Sequence, residues 1–198
     1  MLFPAICALC GRIGERVICD YCRGELGPFR PELLHGTGLV AYRAILFDYE
    51  GRAKQAVHAL KYERVTALGQ PLASLISEAV DQYQLEFDLA IPIPIHYFRR
   101  CFRGFNQAEI LAEGLAPTRV SPTALRRIRH TAPQVSLSRD QRLANLKNAF
   151  LARPSVTGKR ILLIDDVATT GGTAIAAAEA LMAAGATGVG LVALAGNP

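Results

Sequence analysis

The chain has 198 residues, 51% of them hydrophobic, with 22 lysines and arginines against 17 acids for a formal charge of +5. That is enough for one full domain with a small appendage. It lacks the run of about 18 apolar residues that a membrane-spanning helix needs, and "MLFPAICALC" has neither the charged start nor the long apolar centre of a secretory signal. No membrane insertion and a cytoplasmic location are therefore expected, and the basic balance favours a polyanionic partner, either nucleic acid or a phosphorylated small molecule.

Four of the five cysteines form one window, Cys7 and Cys10, then Cys19 and Cys22, two C-x2-C pairs separated by eight residues. Two tight turns can bring four soft thiolates to one tetrahedral ion, which suits zinc; four protein ligands leave no open position, so its role is structural or for docking. Disulfides, disfavoured in a reducing compartment, and iron–sulfur ligation are the alternatives. Cys101, alone among arginines, is expected to pack rather than react.

Residues 1–26 read as this metal module and residues 27–50 as a linker with a strand or hairpin. Within the linker, "LGPFRPELLHGTG" is a Pro/Gly-rich connection and "LVAYRAILFDYEG" has strand composition up to Gly51. Residues 51–198 form the main domain. Its first helix, "RAKQAVHALKY", places Ala53, Ala56, Val57 and Leu60 on one apolar stripe. A second is predicted over "LGQPLASLISEAVDQY". "FDLAIPIPIH" starts as a buried strand whose pairing should end near Ile91, because Pro92 and Pro94 cannot donate ladder hydrogen bonds. An extended loop with "HYFRRCFRGFNQ" is expected next, then a helix opened by a capping box of Asn106 and Glu109, with Ala108, Leu111, Ala112 and Leu115 as its stripe. "ALRRIRHTAPQVSLSRDQRLANLKNAF" is cationic, broken by Pro133, and reads as an irregular or hairpin excursion. "RILLIDD", "TAIAAAEALMAAGA" and "VGLVALAG" then make a βαβ unit on a parallel sheet.

The chemistry concentrates in "GKRILLIDDVATTGGT". Asp165 and Asp166 end an aliphatic strand, and Ala168, Thr169, Thr170, Gly171, Gly172 and Thr173 follow. The amides and hydroxyls of that loop, with the positive end of the next helix, suit a monophosphate. No G-x-x-x-x-G-K-[ST] occurs, so it is not a Walker loop. Carboxylates repel phosphate but accept hydroxyl donors and attract cations. A ribose 5-phosphate moiety satisfies both halves, its phosphate on the loop and its 2′ and 3′ hydroxyls on the acids, with Mg²⁺ drawn to the same pair.

These thirteen residues, "ILLIDDVATTGGT", resemble the 5-phosphoribosyl-1-pyrophosphate signature of the type I phosphoribosyltransferases. With "CALC", "ICDYC", "KQAVHALKY", "IPIPIHYFRRCFRGFNQAEILA" and "TAPQVSLSRDQRLANLKNAF" in order, the whole chain is similar to the ComF family, which also holds GntX-like relatives. The resemblance implies an α/β fold, a parallel sheet flanked by helices and carrying a hood, behind a zinc module. It makes Asp165 and Asp166 the catalytic pair and the loop from Ala168 to Thr173 the phosphate site. It offers His96, Arg99, Arg100 and Arg103 as pyrophosphate or nucleic-acid contacts and places Arg139, Arg142 and Asn145 in the hood. Lys61 and Tyr62 match a family motif, although helical surface explains them equally well.

The implied ligand is phosphoribosyl pyrophosphate with magnesium. The implied role is competence: DNA uptake in natural transformation, binding of single-stranded DNA, and work beside a competence helicase. An active magnesium-dependent transferase of small-molecule metabolism is the alternative, and no acceptor or nucleophile is legible. The pocket is the stronger signal, since the basic charge is not interleaved with many aromatics.

Overall fold

The computed structural model describes residues 4–27, 32–35, 38–129 and 148–197. A two-stranded ribbon of β1 (Ala5–Ile6) and β2 (Ile13–Gly14) leads to the short helix α1 (Asp20–Gly24). Then follow β3 (Glu32–His35), β4 (Tyr42–Asp48), α2 (Gly51–His58), α3 (Gly69–Gln82) and β5 (Leu89–Pro92). Next come α4 (Tyr97–Arg103), α5 (Gln107–Ala112), β6 (Leu125–Arg127) and β7 (Phe150–Ala152). The chain closes with β8 (Arg160–Ala168), α6 (Gly172–Ala183) and β9 (Gly188–Gly196).

Five strands form one sheet in the order β3-β4-β9-β8-β5, with β4, β9, β8 and β5 parallel and β3 antiparallel at one edge. Ile161, Leu162, Leu163 and Ile164 of β8 are each at most 1% exposed, which is why that strand reads as an unbroken aliphatic run. Leu162 and Ile164 pack, with Val192 and Leu194 of β9, against α2, α3 and α5. Ile161 and Leu163 pack, with Leu191 and Ala193, against α6 and the β6–β7 ribbon. Half of helix α6 is alanine, and its small side chains let it lie close over the sheet. Gly185, at φ +90°, ends it in a left-handed conformation.

Several local expectations change. The Pro/Gly-rich connection contains β3, which pairs with β4 from Glu32↔Ile45 to His35↔Tyr42. The stretch expected as an extended loop forms α4, because the His96 ring accepts from the Phe98 amide at 3.4 Å and caps it, while Gly104 at φ +87° ends it. Asn106 does cap α5, accepting from Ala108 N at 3.2 Å, but Glu109 turns to Arg100 instead of back to the cap. Pro92 does not end the pairing at Ile91: it sits opposite Ile164 on an edge strand, and Ile93 N still donates to Ile164 O at 2.9 Å.

The cysteine module is not a loose appendage. Cys7, Leu9, Ile18, Cys22 and Leu26 are buried in the same core as α2 and α3. The Leu9 carbonyl accepts from Gln55 Nε2 at 3.0 Å, and Arg23 donates to both Glu78 oxygens at 2.9 and 3.0 Å. Among the described residues no helix is long and apolar enough to cross a membrane.

Helix α3 and the end of α5 approach closely, so that a Cβ on Gly114 would stand 2.1 Å from the Ala73 carbonyl oxygen. Gly114→Ala should therefore destabilise the fold by roughly 1–3 kcal/mol through forced backbone displacement. At about 2–4 °C per kcal/mol for a chain of this size, calorimetry should record a lowered melting temperature; an unchanged one would contradict the packing described.

Candidate functional site

Asp165 and Asp166 lie near the carboxyl end of β8, where strand alternation sends them to opposite faces. Asp166 is buried, and its Oδ1 pairs with Lys61 Nζ at 2.8 Å. Lys61 comes from a π-helical turn, Ala59–Glu63, that continues α2 and ends at Arg64 with φ +56°. Such wide turns commonly mark functional positions. Burial would lower the Lys61 pKa, but Asp166 and Asp165 outweigh it and hold the ammonium above its usual range. The Asp165 carboxyl is pushed up to about 7 by burial and by the adjacent Asp166, against the pull of Lys61 and of the Asp166 amide, which donates to Asp165 Oδ1 at 2.9 Å.

Asp165 also lines a small cleft of about 60 Å³ with Val167, Ala168, Thr169, Thr170, Gly171, Gly172 and Thr173. A single water needs some 10–15 Å³, so this space takes one tetrahedral anion. Gly171 is the N-cap of α6 at φ +71°, with no side-chain cap and no acid in the first turn, so the helix's leading amides face the cleft side without an internal anion. A Cβ at Gly171 would stand 3.3 Å from Nη1 of Arg43, a residue of β4 that pairs with Leu191 of the cleft wall. Arg43 thus brings a guanidinium to the loop from a strand remote in sequence.

The arginine segment divides. Arg100 Nη1 pairs with Glu109 Oε1 at 2.6 Å. Arg103 donates to Gln107 Oε1 at 3.1 Å and lies over the Tyr62 ring at 5.0 Å. The pKa of Arg127 in β6 is held down to about 10 by burial and then by the charge of Arg99, with Asp165 opposing. Arg127 also lies over the Phe150 ring at 5.5 Å. Arg99, Arg127 and Asp165 therefore share one electrostatic neighbourhood, while His96 caps α4 at its near end. Cys101 is exposed and does not pack. Arg139, Arg142 and Asn145 lie outside the described residues.

Sequence reasoning missed Arg43 and Arg127 and left Lys61 undecided. The first two come from β4 and from the cationic excursion, and nothing local in either stretch points to the cleft. For Lys61 the available signal was its place off the apolar stripe at the end of the first helix.

The four cysteine sulfurs of Cys7, Cys10, Cys19 and Cys22 lie within 4.8 Å of one another and could hold a metal ion. Cys10 and Cys19 Sγ are 3.8 Å apart, which matches the edge of a tetrahedron with metal–sulfur bonds of about 2.3 Å. Burial alone would raise the Cys7 thiol, yet amides of Cys19, Leu9 and Cys10 hold it down to about 6, and Cys19 N reaches its sulfur at 3.4 Å. Burial pushes the Cys22 thiol up to about 12, so the four cannot all ionise without a cation among them.

A phosphoribosyl transferase domain model matches residues 61–198, beginning at the lysine that pairs with Asp166. DNA utilization protein YhgH of Salmonella typhi is 33% identical, over 93% of this chain and 87% of that protein. Competence protein ComFC of Streptococcus pneumoniae is 33% identical over 78% of this chain and 67% of its own length. Competence protein F of Haemophilus influenzae is 34% identical over 59% of this chain and 56% of its own. A solved glutamine phosphoribosylpyrophosphate amidotransferase from B. subtilis overlaps 69% of this chain and 30% of that chain at 18% identity and a TM-score of 0.46. With a four-cysteine cluster packed ahead of a phosphoribosyl transferase domain and similarity to a relative over 93% of its length, the chain belongs to the ComF family.

Proposed function

We propose that this protein binds phosphoribosyl pyrophosphate with magnesium and serves as a competence factor that handles single-stranded DNA. The observation that carries the ligand reading is that Asp165 and the loop from Ala168 to Thr173 line one cleft of single-phosphate size. A phosphate there meets backbone amides, threonine hydroxyls and the α6 N-terminus, while a ribose beyond it presents hydroxyls to Asp165 and Asp166. Lys61 holds Asp166 in place before the ligand arrives. Arg99 and Arg127, with His96, Arg100 and Arg103 along α4, offer guanidinium forks and a ring nitrogen to the pyrophosphate end. Arg139, Arg142 and Asn145, outside the described residues, are the hood contacts that the family resemblance assigns to the same ligand. Magnesium would come with the pyrophosphate and neutralise part of its charge between the acid pair and the arginines.

If transfer occurs, pyrophosphate leaves C1 of the ribose through a cationic transition state. The protein then needs only to hold the sugar, stabilise the leaving group and align an acceptor. No acceptor site is identified among the described residues, and the proposed function is binding. The competence role is supported by the relatives named competence proteins and DNA utilization protein. The cysteine cluster fits zinc, with Cys7, Cys10, Cys19 and Cys22 as its four ligands and a structural role that pins β1, β2 and α1 to α2 and α3.

Calorimetric titration with magnesium phosphoribosyl pyrophosphate should show binding that is abolished in the Asp165→Asn, Asp166→Asn double variant; no heat with the wild type, or unchanged heat with the variant, would refute the reading. Asp165 must lose its proton to accept a hydroxyl, and its pKa is about 7. Affinity should thus fall by up to about tenfold per pH unit below that value and level off above it. Lys61→Met removes a cation that lowers the Asp165 pKa, so the same profile should move to higher pH. Metal analysis should find one zinc per chain, and stripping it with a strong chelator should lower the melting temperature together with the α2–α3 core.

A further inference from the structure

Strand β4 sends alternate side chains to the two faces of the sheet. Ile45 lies in the cluster with Leu163, Leu191 and Ala193 under α6. Arg43, two residues earlier, therefore stands on the α6 face as well, half-buried and opposite Leu191 in the β4–β9 ladder. Leu191 and Gly171 both line the cleft of single-phosphate size. Arg43 adjoins both: the first is its ladder partner on the same face, and a Cβ on the second would meet its Nη1 at 3.3 Å. Gly171 thus has two reasons to lack a side chain, its φ of +71° and the guanidinium beside it.

This placement sets two positive ends against each other. Gly171 is the N-cap of the twelve-residue α6, whose leading amides meet no acid in the first turn. Cations are stabilised at the carboxyl end of a helix, yet here a guanidinium stands at the amino end. Among the described residues Arg43 forms no ion pair and no hydrogen bond, and Asp166 is already held by Lys61. An anion in the cleft answers both groups at once. A phosphomonoester carries about −1.5 to −2 at neutral pH, whereas a helix end supplies only about +0.5. The loop's amides and hydroxyls add donors without a full charge, so one guanidinium supplies most of what is missing.

We propose that Arg43 is the charged member of the phosphate site: its guanidinium closes the loop from Ala168 to Thr173 and selects a terminal phosphomonoester on the ribose. The inference rests on the reading that the cleft takes the 5-phosphate of a phosphorylated ribose, and it names the residue that sets the preference for that group. A phosphodiester carries one charge fewer and offers fewer free oxygens to the fork. Arg43 therefore separates a free sugar phosphate from an internal phosphate of a nucleic-acid backbone.

Calorimetric titration of the full chain with ribose 5-phosphate and with magnesium phosphoribosyl pyrophosphate tests the assignment. Arg43→Met should weaken both by roughly tenfold to a hundredfold, the range for losing one charge-assisted hydrogen-bond partner, because both ligands carry the 5-phosphate. Arg43→Lys keeps the charge without the fork and should lose less. The wild type should prefer ribose 5-phosphate over its methyl diester, and Arg43→Met should lose most of that preference. In phosphate-free buffer Arg43→Met should melt no lower than the wild type, since it removes a cation from the amino end of α6. Wild-type affinity for ribose 5-phosphate in Arg43→Met, an unchanged preference over the diester, or a loss confined to phosphoribosyl pyrophosphate overturns the assignment and leaves the ligand reading standing. A lowered melting temperature without ligand makes the side chain structural and overturns it as well. No binding of either ligand by the wild type overturns the ligand reading itself.

Discussion

Two adjacent carboxylates at the end of a strand covered on both faces are a costly arrangement, and the Lys61–Asp166 ion pair makes it tolerable. Removing a carboxylate from water costs several kcal/mol unless a cation and hydrogen bonds replace the solvent. Asp166 receives Lys61 Nζ at 2.8 Å. Among the described residues Asp165 accepts from the Asp166 amide at 2.9 Å, and burial with the neighbouring Asp166 charge raises its proton affinity. Strand alternation explains why one lysine does not serve both acids equally: Asp166 follows Leu162 and Ile164 toward α2 and α3, whereas Asp165 follows Ile161 and Leu163 toward α6. The π turn after α2 belongs to the first of those faces, so Lys61 meets Asp166, and Asp165 is left for the cleft.

That division sets the rest of the architecture. The α2 face is the structural one, filled by α3, α5 and the cysteine module, whose buried Cys7 and Cys22 join the same core. The α6 face opens at the strand ends into the loop, where Gly171 at φ +71° allows a turn that a side chain would resist and leaves room for the Arg43 guanidinium. The four-cysteine module packs on α2, and α2 runs into the π turn that carries the lysine paired with Asp166. The cysteines and the aspartates are thus linked through one helix, although no cysteine lines the cleft.

What the sequence revealed follows from how local each signal is. The β8–loop–α6 unit is contiguous, so aliphatic run, acid pair, glycines and alanine-rich helix all appear in one stretch from Arg160 to Ala183. The cysteine pairs are local as well, and their spacing alone indicates one tetrahedral set. Arg43, Arg127 and Lys61 are different, because β4, β6 and the π turn reach the site through sheet order and an irregular turn, neither of which leaves a periodic trace. Helix α4 was hidden for another reason: it is seven residues long and buries none, so its aromatic side does not read as a core stripe, and its capping histidine is an uncommon signal. The β3 edge strand was masked by the Pro and Gly residues around it.

Helix α4 is also where two chemistries meet. Its start is fixed by His96, four residues after Pro92 ends β5, so the helix stands at the carboxyl edge of the sheet beside the cleft. Helical spacing puts Arg99, Arg100 and Arg103 on one side of α4 and Tyr97, Phe98 and Phe102 on the other, where they stand in solvent, and the charge of Arg99 acts on Arg127. The helix is held by its capping ring, its glycine end, the Arg100–Glu109 pair and the Arg103–Gln107 hydrogen bond, so its arginine side is tied to α5 while its aromatic side chains are left in solvent.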